Sequence, residues 1–122
     1  MARILVIDDE DMVRTTVRLI LEKNGHQVIE AKNGNDGLRV AGGAKPDLVI
    51  TDIIMPEKEG LETIMEIKAL VPGTRIVAMS GGGRARNLDF LTVAKKLGAD
   101  QALRKPFTSA QLLETVNLLL KA

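Results

Sequence analysis

Five residues in this chain could do chemistry together: Asp8 with Asp9, then Asp52, Ser80 and Lys105. Each group stands directly after a short apolar run. Ile4-Leu5-Val6-Ile7 precedes the aspartate pair and Leu48-Val49-Ile50-Thr51 precedes Asp52. Residues 75–79 precede Ser80, and residues 101–104 precede Lys105. Carboxylates gathered at one place repel unless a cation joins them or some take up protons. A hard divalent ion with oxygen ligands answers that need. Mg²⁺ suits it because Mg²⁺ keeps several waters and takes one or two carboxylates plus phosphate oxygens. Lys105 and the Ser80 hydroxyl would then address an anion held beside the metal. A carboxylate nucleophile, a metal, an ammonium and a hydroxyl together describe phosphoryl transfer to a carboxylate. The metal and the lysine would neutralise the equatorial oxygens of the transferring group.

Taken singly, each residue has a plainer reading. Asp9 could be a helix N-cap, Asp52 a turn residue before Pro56, Ser80 a loop serine and Lys105 a solvated lysine. Their joint placement carries the argument, and that placement depends on the elements that deliver them.

The chain alternates strand and helix. The run at 4–7, β-branched at three of four positions, predicts a buried strand. Val13, Val17, Ile20 and Leu21 then give one apolar helix face over 10–24, and Gly25 supplies a stop. A weaker strand follows at 27–31. A short helix at 35–41 carries Gly37 and runs into Gly42 and Gly43, which makes it the weakest helical signal. A third strand covers 48–51. Leu61, Ile64, Met65 and Ile67 mark a helix over 61–71, stopped by Pro72-Gly73. A fourth strand covers 75–79, with 80–83 read as a flexible loop. A helix at 88–97 is closed by Gly98, and a short fifth strand spans 101–104. The last helix has the clearest start: Thr108 and Gln111 fit a capping box, and Phe107 and Leu112 a hydrophobic staple. Five strand–helix units predict an α/β fold, a doubly wound parallel sheet with helices on both faces. In such a sheet ligands bind beyond the carboxyl ends of the strands, which is where four of the five strands deliver a reactive residue.

Composition narrows the classes further. The 122 residues fit one domain. No Cys is present, which excludes disulfides and thiolate metal sites. No apolar run approaches the roughly 20 residues of a membrane span. Met1-Ala2-Arg3 ahead of the first strand is too short for a signal peptide, so a cytoplasmic protein is the expectation. The net charge of +1 argues against direct nucleic-acid binding, as does the lack of Tyr and Trp for base stacking.

With these residues in place, the chain resembles the response-regulator receiver domain of two-component signalling, in the style of single-domain chemotaxis regulators. The resemblance rests on Val6-Ile7-Asp8-Asp9-Glu10, on 47–52 with Met55-Pro56 and Gly60, on Ser80, and on Lys105-Pro106-Phe107. It runs in order through the whole chain and implies one receiver domain over 1–122. The implied fold is flavodoxin-like, five parallel strands in the order 2-1-3-4-5 with five helices. It implies that Asp52 accepts a phosphoryl group from a sensor histidine kinase or a histidine phosphotransfer protein. Asp9 and Asp52 would ligate Mg²⁺ directly, with the backbone carbonyl of Ile54, and Asp8 through a water. Ser80 would bond the phosphoryl group, Lys105 would pair with its oxygens, and the Lys105–Pro106 bond would be cis. The protein would be a signalling phosphoacceptor, catalysing only its own phosphorylation and dephosphorylation. Its output would be a downstream protein bound on the fourth helix, fifth strand and fifth helix, where Arg84, Arg86, Lys95, Lys96 and Arg104 suggest an acidic partner.

Three departures from the family pattern stand out. Ala102 occupies the place of a usual Tyr or Phe switch residue, which leaves a shallow depression and routes coupling through the backbone. The segment 81–87 is long and glycine-rich. Ile54 and Gly82 replace polar side chains that would orient a hydrolytic water, which predicts slow self-dephosphorylation. Other classes fit less well. A receiver-like interaction module working without phosphorylation would not need the full residue set. An Asp-nucleophile phosphohydrolase usually shows Asp-x-Asp, whereas here the two aspartates are adjacent. The segment 81–84 lacks the ending of a P-loop. His26 has no second His to pair with as a ligand and reads as packing.

Overall fold

The computed structural model describes residues 2–53, 60–80 and 87–121. The elements run β1 (Arg3–Ile7), α1 (Asp11–Lys23), β2 (Gln27–Ala31), α2 (Gly34–Ala44), β3 (Leu48–Asp52), α3 (Gly60–Leu70), β4 (Arg75–Ser80), α4 (Asn87–Leu97), β5 (Gln101–Arg104) and α5 (Ser109–Leu120). The strands form one parallel sheet in the order β2-β1-β3-β4-β5. The doubly wound α/β fold and its strand order are therefore as expected.

Side chains of a strand alternate between the two faces of its sheet. Here Leu5, Ile7, Val49, Ile76 and Ala78 pack with Ala41 of α2, Ile64 and Ile67 of α3 and Ala94 of α4. Their neighbours Ile4, Val6, Leu48, Ile50, Val77 and Met79 pack with Val17 and Leu21 of α1 and with Leu112, Val116 and Leu119 of α5. Both faces of the central strands are covered, so β1, β3 and β4 are almost wholly buried and read as continuous apolar runs. The edge strands β2 and β5 are only partly buried, which is why their sequence signal is weak.

Two strands run one residue further than the apolar pattern indicates. Asp52 pairs in register with Met79, and Ser80 pairs with Arg104, so both polar residues are the last of their strands rather than the first of a loop. Parallel pairing with the neighbouring strand carries the backbone on after the apolar run ends. Of the flexible loop expected at 80–83, Ser80 instead closes β4, and 81–83 lie outside the described residues.

The weakest predicted helix is longer than its composition suggests. α2 begins at Gly34 under an Asn33 cap, whose side chain accepts the Asp36 N–H at 2.8 Å. A Cβ on Gly37 would overlap the Ile7 side chain. Glycine there lowers helix propensity but lets α2 lie directly on β1. Gly25, at φ +89°, ends α1, with the Gly25 and His26 amides donating to the Glu22 and Leu21 carbonyls. The capping box of α5 is formed in both directions: Thr108 Oγ1 accepts from the Gln111 amide at 3.0 Å, and Gln111 Oε1 from the Thr108 amide at 2.8 Å.

Candidate functional site

Asp8 follows β1 and its N–H still donates to the Ala31 carbonyl of β2 at 3.2 Å. This fixes a fully buried carboxylate at the sheet edge. One of its oxygens, Oδ1, accepts the Glu10 N–H at 2.9 Å. The other, Oδ2, accepts from Lys105 Nζ at 2.9 Å. Asp52, at the end of β3 and only 5% exposed, also accepts from Lys105 Nζ through Oδ2, at 3.2 Å. Glu10 Oε1 stands 3.7 Å from the same ammonium. Lys105 reaches this position because β5 continues beside β4: its N–H donates to the Ser80 carbonyl at 2.8 Å. The Lys105–Pro106 bond is cis, as expected.

The electrostatics follow from this geometry. Burial alone would lower the Lys105 pKa. The hydrogen bond that Lys105 donates to Asp8 and the charges of Asp52 and Asp8 outweigh that and raise it above its ordinary value. Lys105 is thus held as an ammonium among carboxylates. Arg14 shows the same balance: burial lowers its pKa, while its bonds to Asp11 and Glu30 raise it further.

Asp8, Glu10 and Asp52 each offer a carboxylate oxygen within 4.8 Å of the others, a set that could hold a metal ion. Three hard oxygen donors suit Mg²⁺. The same carboxylates hold Lys105, so ammonium and cation would share donors.

The expected site residues fare differently. Asp8, Asp52 and Lys105 come together. Ser80 is buried at the neighbouring strand end. Asp9 is exposed and is not in the three-carboxylate group. Ile54 lies outside the described residues, as do Gly82, Arg84 and Arg86. Lys95, Lys96 and Arg104 are exposed, while Ala102 is half-buried against the core beneath α4. Two further residues shape the site. Glu10 joins the carboxylate cluster, and its signal in the sequence is a third carboxylate two positions after Asp8. Arg14 donates from Nη1 to the Asp8 carbonyl at 2.7 Å. Its signal was a charge at helical spacing with buried Val17 and Leu21.

A parallel sheet in this order, with buried aspartates from two strands and a lysine from a third meeting at its carboxyl edge, defines a class of signalling domain. The family model for the response regulator receiver domain matches residues 4–117, and the chain belongs to that family. Among its relatives, Protein PilH of Pseudomonas aeruginosa is 35% identical over 120 residues, covering 98% of each chain. Chemotaxis protein CheY of Bacillus subtilis is 36% identical over 116 residues, covering 94% of each. The crystal structure of a response regulator receiver domain protein from Clostridium thermocellum superposes with a TM-score of 0.91 at 35% identity, covering 99% of this chain and 95% of that one. The chain is a response regulator receiver domain. Among the described residues no helix is long and apolar enough to cross a membrane.

Proposed function

We propose that residues 1–122 form one phosphoacceptor receiver domain, acting in the cytoplasm, in which Asp52 takes a phosphoryl group from a sensor histidine kinase or a histidine phosphotransfer protein. The observation that carries this reading is the Lys105 ammonium, joined to the buried Asp8 and Asp52 carboxylates at 2.9 and 3.2 Å. Asp52 attacks phosphorus and the donor's nitrogen or oxygen leaves. Asp8, Asp9, Asp52 and the Ile54 carbonyl would hold Mg²⁺, with Glu10 beside them. When bound, the metal supplies charge neutralisation for the equatorial phosphoryl oxygens. Lys105 releases Asp52 and pairs with those oxygens, and the Ser80 hydroxyl donates to them. The product carries about two negative charges and three acceptor oxygens where one carboxylate stood. Lys105 and Ser80 then pull on the ends of β5 and β4, which shifts the population of states on the α4–β5–α5 face and changes partner binding.

The test is an intact mass after incubation with a small acyl phosphate and Mg²⁺. We expect one base-labile phosphoryl adduct that needs Mg²⁺ and is absent in Asp52→Asn. No adduct on a folded, Mg²⁺-binding protein would point instead to a receiver-like interaction module that works without phosphorylation.

A further inference from the structure

Arg14 is an odd residue for its place. It lies on the apolar stripe of α1 with Val17 and Leu21 and is 7% exposed. A buried charge is costly unless every donor finds a partner. Here all three directions of the guanidinium are used. Nε donates to Glu30 Oε1 on β2 at 2.9 Å, Nη2 to Asp11 Oδ1 at 2.5 Å, and Nη1 to the Asp8 carbonyl at 2.7 Å. Asp11 and Glu30 are both accessible enough to be met by a surface arginine. Burial adds the third bond, to the main chain of Asp8.

We propose that Arg14 is a positioning residue for the metal site, which makes the Glu30–Arg14–Asp8 chain a determinant of Mg²⁺ affinity. This rests on the reading of Asp8 and Asp52 as metal-site residues. The Asp8 main chain is held on both sides, its N–H by the Ala31 carbonyl and its C=O by Arg14. Its side chain in turn accepts the Glu10 N–H. Fixing that peptide therefore sets the direction of two of the three clustered carboxylates, Asp8 and Glu10. Asp11 and Glu30 hold the plane of the guanidinium, which a planar fork allows and a single ammonium does not. Residues that orient metal ligands without touching the metal typically change affinity by roughly 10- to 100-fold when lost.

The experiment is a Mg²⁺ titration followed by amide NMR on the wild type, Arg14→Lys, Glu30→Gln and Glu22→Gln. Glu22 pairs with Arg18, which also pairs with Glu30 at 2.8 Å, so Glu22→Gln removes one negative charge from the same network without breaking any bond to Arg14. We expect the Mg²⁺ dissociation constant to rise about tenfold in Arg14→Lys and about threefold in Glu30→Gln, with no change in Glu22→Gln. The Glu10 amide should exchange faster in the metal-free Arg14→Lys protein. Phosphorylation should need more Mg²⁺ for half-maximal rate yet reach the wild-type rate at saturation. If Arg14→Lys does not fold, the comparison of Glu30→Gln with Glu22→Gln decides. Unchanged Mg²⁺ affinity in the folded variants, whatever their melting temperatures, would make Arg14 a strut between α1 and β2 and overturn the proposal. A wild type that binds no Mg²⁺ would instead overturn the metal-site reading beneath it.

Discussion

Lys105 is the residue on which the site turns, because one ammonium satisfies two carboxylates from different strands. Asp8 and Lys105 are 97 positions apart in sequence, and nothing local brings them together. Its raised pKa has a consequence for stability. A lysine whose pKa is higher in the fold than in the unfolded chain contributes stability that is fully present below about pH 10.4 and is lost as pH rises through the folded-state value. The metal-free wild type should therefore lose stability more steeply than Lys105→Gln above that pH. Denaturant midpoints of the two proteins across the alkaline range check this; parallel curves would contradict it. Asp9 and Glu10 show the limit of local reading. Both follow the first apolar run, and only the turn's tertiary setting puts Glu10, rather than Asp9, beside Asp8 and Asp52.

At the level of elements, α2 and α5 illustrate two different ways a helix is specified. α5 is specified by its own sequence. Its capping box satisfies amides that no helical carbonyl can reach, and Leu112, Val116 and Leu119 supply the buried stripe. Thr108→Ala should cost about 1 kcal/mol, read as a lower midpoint of denaturation. α2 is specified by what it lies on. By helix propensity alone, Gly37→Ala should stabilise by about 1 kcal/mol. The added Cβ meets Ile7 of β1, however, and overpacking of a core costs about 1–3 kcal/mol. Gly37→Ala should therefore destabilise, and combining it with Ile7→Val should recover part of the loss. A stabilised single variant would show that α2 can move off the sheet freely.

For the whole molecule, the two helical layers divide the labour. The layer of α1 and α5 carries the Arg14 brace and the α5 cap, and the layer of α2, α3 and α4 carries the glycine contact with β1. The strands end in a common edge where the reactive groups meet, so the proposed phosphorylation of Asp52 would act on β3, β4 and β5 together. Ala102, half-buried on β5, offers no large ring to swing between positions. On the proposed function, coupling would run through the Ser80 and Lys105 backbones, whose hydrogen bond joins β4 to the residue after β5. With Ile54 and Gly82 unable to orient water, the acyl phosphate should outlast by at least tenfold that of a variant with a polar side chain at both positions. The decay of the phosphorylated mass after donor removal measures it, and equal lifetimes would discard the idea.

The sequence by itself determined the alternation of five strands and five helices, and the placement of Asp8, Asp52, Ser80 and Lys105 at strand ends. These features are local: apolar periodicity, glycine stops and caps act over a few residues. The α5 boundary was legible because both halves of its cap lie within four residues. Tertiary structure alone decided the rest. It extended β3 and β4 to include Asp52 and Ser80, because pairing depends on the neighbouring strand. It buried Arg14 by adding the Glu30 carboxylate of β2 to the nearby Asp8 carbonyl and Asp11 carboxylate, and it turned glycine from a weakness in α2 into a requirement. Such outcomes depend on which distant groups meet, and distance along the chain says little about distance across a folded sheet.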